Sequence, residues 1–176
     1  MKAFITVPYR TQLDNEIDPF STCNVTSVTM VMLYHGYKEQ GGIQLEDSLS
    51  RILFNNHLSR NNPEHLAILF NRTGLFHDQF LYKASWESIK KEILENRPVI
   101  VHGYFTRFGH IVVIVGFSEG TQEWVVHDPY GEYFIGGYNK GKDKGKNVRY
   151  SFHMMDKLCA PDGGVWAHFV SKKGIK

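Results

Sequence analysis

The chain has 176 residues, of which 42% are apolar and 22% charged, and a formal net charge of +2. That length and balance describe one globular domain with enough core to need no disulfide or metal staple. They exclude a disordered chain and a strongly basic nucleic-acid binder, and no apolar run approaches the length of a membrane span.

Residues 4–9 read as a short extended segment around Pro8. Nothing in residues 1–8 has the pattern of a secretory signal, so cytoplasmic synthesis is expected, where a Cys23–Cys159 disulfide is disfavoured. Residues 12–22 are polar and turn-rich, with Asp14-Asn15 and Asp18-Pro19. Thr22 is placed to cap a helix starting at Cys23, in which Val28, Val31, Met32 and Tyr34 form a buried stripe and which Gly36 ends. A second helix is predicted over 45–54, with Leu45, Leu49, Ile52 and Leu53 on one face. Asn62 followed by Pro63 opens a third and Gly74 closes it; Ser85 caps a fourth, built on Ile89, Ile93 and Leu94 and stopped before Pro98.

After Pro98 the pattern turns β-like: residues 99–105, 111–117 and 124–127, with a turn at 118–121. Residues 134–135, 148–152 and 165–170 add weaker strand signals. Residues 136–145 read as a flexible surface loop. Helices crowd the first half and strands the second. This predicts an α+β fold, with N-terminal helices packed on a C-terminal antiparallel sheet, as a single domain over residues 1–176.

One constellation carries chemistry. A thiol at a helix N-terminus feels the positive end of the peptide dipoles, which favours the thiolate, the nucleophilic form. Cys23 has that place. If the hairpin turns near Glu119-Gly120, paired residues have numbers summing to about 238–240, and His110 meets Asp128 or its neighbour. A slip of one residue would turn one of them away. A thiol, a downstream imidazole to take its proton and an acid to orient the ring form a nucleophilic set. The Cys23 backbone N–H can supply one oxyanion donor; Gln12 is an upstream side-chain amide within reach, although a glutamine in such a loop is more often simply exposed.

Among the nine histidines, His102 is the rival base. His127 adjoins Asp128 but as its strand neighbour should look to the other face. His35, His57, His65, His77, His153 and His168 read as surface or satisfied core residues. No Cys-x-x-Cys or His-Glu-x-x-His spacing suggests a metal, and no glycine-rich phosphate loop is present, so no cofactor is expected.

Several blocks carry a family resemblance: Val7-Pro8-Tyr9-Arg10-Thr11-Gln12, Thr22-Cys23-Asn24-Val25, Arg97-Pro98-Val99, Gly109-His110-Ile111-Val112 and Val126-His127-Asp128-Pro129-Tyr130-Gly131. In this order they resemble the bacteriocin-leader-peptidase-like (double-glycine-type) cysteine peptidases of the papain-like superfamily, over roughly residues 5–131. The resemblance implies a papain-like fold, with Cys23 as nucleophile, His110 as general base and acid, Asp128 as orienting acid and Gln12 as oxyanion donor. This chain has Asn24-Val25 where the family commonly has Gly-Pro after the cysteine, which bears on substrate preference. The implied partner is a peptide, with neither nucleic acid nor membrane. A compact, mildly basic domain of this kind also looks like phage lysins, which are released to the cell wall and cut peptidoglycan peptides. The segment holding Lys140, Lys142, Lys144, Lys146 and Arg149 would suit an anionic wall. Intracellular leader-peptide processing, a non-catalytic peptide-binding module and acyl transfer are the alternative readings.

Overall fold

The computed structural model describes residues 1–39 and 41–174. In chain order the elements are β1 (Lys2–Phe4), α1 (Cys23–Tyr34), α2 (Leu45–Asn55), α3 (Pro63–Arg72), β2 (Phe76–Ala84), α4 (Trp86–Leu94), β3 (Val99–Gly103), β4 (His110–Ser118), β5 (Glu123–His127), β6 (Glu132–Phe134), β7 (Gly137–Asn139), β8 (Val148–Ser151), α5 (Phe152–Cys159) and β9 (Val165–Lys172). A seven-stranded sheet runs in the order β2-β9-β3-β4-β5-β8, with β1 also on β4. Its pairings are antiparallel. The α+β class expected from the pattern is observed. Among the described residues no helix is long and apolar enough to cross a membrane.

The helix that begins at Cys23 carries no simple stripe. Every residue from Asn24 to Met32 is buried, because α1 packs on β4 and β3 while α2 and α3 cover it. A helix enclosed this way must satisfy its polar side chains internally. Thr26 Oγ1 donates to the Thr22 carbonyl at 2.8 Å, and Ser27 Oγ to the Ile111 carbonyl at 3.2 Å. Thr22 does not cap this helix with its side chain; its hydroxyl donates to the Asp18 carbonyl instead. The other caps form as expected. Asn62 accepts from Glu64 N–H ahead of Pro63, and Ser85 accepts from Ser88 N–H.

Three elements depart from the predicted pattern. β2 lies in the helical half and pairs with β9 at one end of the sheet order. The strand at 148–152 stops at Ser151, whose side chain caps α5 by accepting from Met154 N–H. The stretch 136–145 contains β7, paired with β6, and its last residue, Gly145, is buried. Gly145 accepts a hydrogen bond from the Asp128 N–H at 2.8 Å, so the basic segment is anchored beneath its exposed lysines.

A Cβ at Gly145 would stand 1.8 Å from the Asp128 carbonyl oxygen and 2.8 Å from Tyr9 Oη. Neither neighbour is the end of a loose side chain. Gly145→Ala should therefore lower the urea-unfolding free energy by about 1–3 kcal/mol. An unchanged midpoint and slope would contradict this close approach.

Candidate active site

Cys23 is the first residue of α1. Its N–H points out of the helix start, and among the described residues no backbone or side-chain acceptor meets it. Asn24, in the position that departs from the Gly-Pro pattern, is buried. Its Nδ2 donates to the Arg60 carbonyl at 3.0 Å and its Oδ1 accepts from Val25 N–H. The helix start is thereby tied to the α2–α3 connection by a side chain that proline or glycine could not replace.

His110 opens β4 opposite Gly103 of β3. The β4–β5 hairpin does not pair His110 with Asp128 directly. Near the turn the paired numbers sum to 241, as in Phe117↔Trp124; beyond Val115 they sum to 240, as in Val113↔His127. The change is a bulge at Val115. Strand side chains alternate between faces, so inserting one residue reverses the parity of everything beyond it. With the sum at 241, His110 and Asp128 would lie on opposite faces. At 240 they share one, and His110 Nε2 lies 2.7 Å from Asp128 Oδ1.

Asp128 is fully buried and its carboxylate is well supplied with donors. Oδ1 also accepts from Tyr130 N–H at 3.0 Å, and Oδ2 accepts from Tyr150 Oη at 3.0 Å. Burial acts to lower the His110 pKa, but the Asp128 carboxylate on the ring and the neighbouring Cys23 outweigh it and raise the pKa to about 10. With Nε2 engaged by Asp128, Nδ1 is the ring nitrogen left for Cys23. The rings of Phe105, Tyr130 and Tyr138 pack around the imidazole and shield it from bulk water.

Gln12 is 1% exposed, which overturns the expectation of an exposed loop residue. The turn at Asp128-Pro129 holds it there. Gln12 N–H donates to the Pro129 carbonyl at 2.8 Å. Thr11 Oγ1 donates to the same oxygen, and Tyr9 Oη to the Asp128 carbonyl. One hydrogen of the Gln12 amide goes to the Pro19 carbonyl at 2.9 Å; the other has no partner among the described residues. Gln12, Cys23 and His110 line one cleft of about 1100 Å³.

The rival histidines have other partners. His127 Nε2 lies 2.9 Å from the Val7 carbonyl, and its Nδ1 accepts from Asn147 N–H, so it ties the N-terminal segment to the basic one. His102 lines the same cleft, but its Nε2 meets His168 at 3.0 Å. Tyr150 and the Tyr130 N–H are not legible from residue types; Tyr150 is registered with Trp124 on β5, and its hydroxyl reaches Asp128 only in the folded chain. Among the described residues no group of three His, Cys, Asp or Glu is placed to hold a metal ion, and Cys23 and Cys159 are both free thiols.

The chain matches the model of the Peptidase_C39 like family over residues 4–158, and it belongs to that family. It is similar to a solved C39-like protein from Bacillus anthracis, with a TM-score of 0.66 and 16% identity, over 99% of this chain and 100% of that one. At that identity the likeness speaks for the fold. No curated protein matches the chain in sequence.

The raised His110 pKa has a defined stability consequence. Its contribution is complete below the ordinary imidazole value of 6.5 and is lost as pH rises through about 10. Asp128→Asn removes the larger of the two anionic influences on the ring. In that variant the His110 resonances of labelled protein should titrate about 1–3 units lower, and the alkaline loss of stability should move down with them. A titration unmoved by the substitution would dissolve the pairing.

Proposed function

We propose that this member of the Peptidase_C39 like family hydrolyses peptide bonds through Cys23, His110 and Asp128. The observation that carries the reading is the buried His110–Asp128 hydrogen bond at 2.7 Å, with Cys23, at the start of α1, and His110 lining one cleft. His110 Nδ1 takes the thiol proton, and the sulfur attacks the scissile carbonyl carbon. The Cys23 N–H and the second Gln12 amide hydrogen receive the oxyanion. His110 gives its proton to the leaving nitrogen as the C–N bond breaks. It then takes a proton from water, whose oxygen attacks the thioester and releases the acid and the thiol. Asp128 fixes the tautomer and stabilises the imidazolium throughout.

The substrate reading is a peptidoglycan peptide, cut in the manner of a phage lysin. Its support is positional. Lys140 donates to Tyr130 Oη at 2.6 Å and lies 4.2 Å from the centre of that ring, and Tyr130 lines the cleft. Lys142, Lys144, Lys146 and Arg149 continue from there, all exposed. The cationic segment therefore starts at the cleft edge, where an anionic polymer would be held beside the thiol.

Mass spectrometry of purified peptidoglycan digests tests both halves. The parent protein should release fragments with new peptide termini, and Cys23→Ala, with an unchanged circular dichroism spectrum, should release none. Full activity of Cys23→Ala would refute the mechanism. Intact peptidoglycan, alongside cleavage of soluble peptides, would move the substrate to intracellular processing. Gln12→Ala should lower kcat by about 10²–10³-fold with little change in KM, the signature of a lost oxyanion donor.

A further inference from the structure

The same cleft contains a second built polar group that the cysteine chemistry does not use. Asp78 on β2, His168 on β9 and His102 on β3 share one sheet face. Phe80 is registered with His168 and Ile100 with His168, and residues two apart on each strand keep that face. Asp78 and His168 are buried. Asp78 Oδ2 lies 2.7 Å from His168 Nδ1, and His168 Nε2 lies 3.0 Å from His102 Nε2. Beside this chain stand Phe80, Tyr82 and Trp166. Phe80 and Tyr82 have ring centres 4.7 Å apart, and Tyr82 and Trp166 meet edge to face at 4.9 Å. Tyr82 and Trp166 are 47% and 44% exposed, and with His102 they line the cleft. A bulge in β2 between Leu81 and Ala84 sets Tyr82 in this position.

The hydrogens of the chain can be placed in order. A buried carboxylate accepts, so His168 carries its proton on Nδ1. With one proton per ring, His168 Nε2 is then an acceptor and takes the Nε2–H of His102. The one nitrogen left over, His102 Nδ1, is a lone pair backed through two imidazoles by the Asp78 anion. It has no hydrogen-bond partner among the described residues and is not among the buried polar atoms. Burial and the neighbouring His168 lower the His102 pKa to about 3, so the ring meets a ligand neutral. An acceptor of this kind, beside the Tyr82 and Trp166 rings that line the cleft with it and with Phe80 packed behind them, is the arrangement that recognises an ammonium group. Glu64, which accepts from Tyr82 Oη at 3.2 Å, and Asp162 on the rim add negative charge. Of the cations lining the cleft, His110 is paired with Asp128 and Arg60 with Asp18, and Lys83 adjoins Tyr82 on the bulge.

We propose that His102, with Phe80, Tyr82 and Trp166, forms a subsite for a primary ammonium group on the peptide substrate, with His168 and Asp78 as positioning residues. The inference rests on the peptidase reading for its substrate, but the subsite is a binding site and can be tested without turnover. It selects a peptide bearing a lysine-like side chain or a free amino terminus.

The test is a titration of histidine- and tryptophan-labelled protein with n-butylammonium chloride, read by NMR at the His102 and His168 ring nitrogens and the Trp166 indole. Sodium butyrate and 1-butanol are the comparison ligands. Saturable shifts centred on His102 Nδ1, given by butylammonium alone, are expected. Trp166→Ala, a change at a half-exposed site, should weaken binding about tenfold, and His102→Phe should remove it. Cys23→Ala should bind as the parent does, so failure of the peptidase mechanism would leave this result standing. The absence of saturable shifts, an equal response to butyrate or butanol, or parent-like affinity in Trp166→Ala would each overturn the subsite.

Discussion

The arrangement depends on a buried hydrogen-bonded pair, His110 and Asp128. A carboxylate with no exposed surface is strongly penalised unless its lone pairs are met, and here three donors meet it. The constraint reaches outward. For Asp128 to face the ring, β4 must carry its extra residue at Val115. For the turn after Asp128 to hold its shape, Gly145 must approach without a side chain, and residues 9–12 must lie against Pro129. Those contacts place Gln12 in the cleft. The acid and the glutamine, more than a hundred residues apart in sequence, are positioned by one turn.

Much of this was legible in the residues. Cys23 begins a helix because apolar residues crowd behind it and turn formers precede it. Asn62-Pro63 and Ser85 cap their helices because a short polar side chain followed by good helix starters has few competing uses. The His110–Asp128 meeting was legible as a proximity, but its mechanism was not. The hairpin sum lay within the expected range only because a bulge changes it by one, and no residue type at Val115 announces a bulge. Gln12 looked like an exposed loop residue because its burial comes from backbone bonds to Pro129, which composition does not record.

The missed strand is the more instructive case. Residues 76–80 alternate inward and outward, with Phe76 and Phe80 on the inner positions, but Asp78 occupies the inner position between them. A carboxylate there breaks the apolar alternation by which half-buried strands are recognised. It is tolerated because His168 arrives from β9 to receive it. α5 was hidden differently: Ser151 ends β8 and caps the helix, so the β pattern ran on into Phe152 without a visible stop. In both cases the local signal was altered by a partner that only the folded chain supplies.

Two histidines in one cleft thus have opposite electrostatic fates. The ring of His110 has its pKa raised to about 10 and that of His102 has its pKa lowered to about 3. Burial pushes both downward, so burial cannot be what separates them. The difference is the atom that touches the ring. His110 has a carboxylate directly on Nε2 and the Cys23 side chain close by, both of which favour imidazolium. His102 has only another imidazole as its hydrogen-bond partner among the described residues, and the carboxylate lies one ring further away, where it accepts from His168. The same pair of residue types, placed in direct contact or with one imidazole between them, favours the charged ring in the first case and the neutral ring in the second. Interposing His168 therefore takes the buried aspartate out of direct reach of the His102 ring, and burial is left to keep that ring neutral.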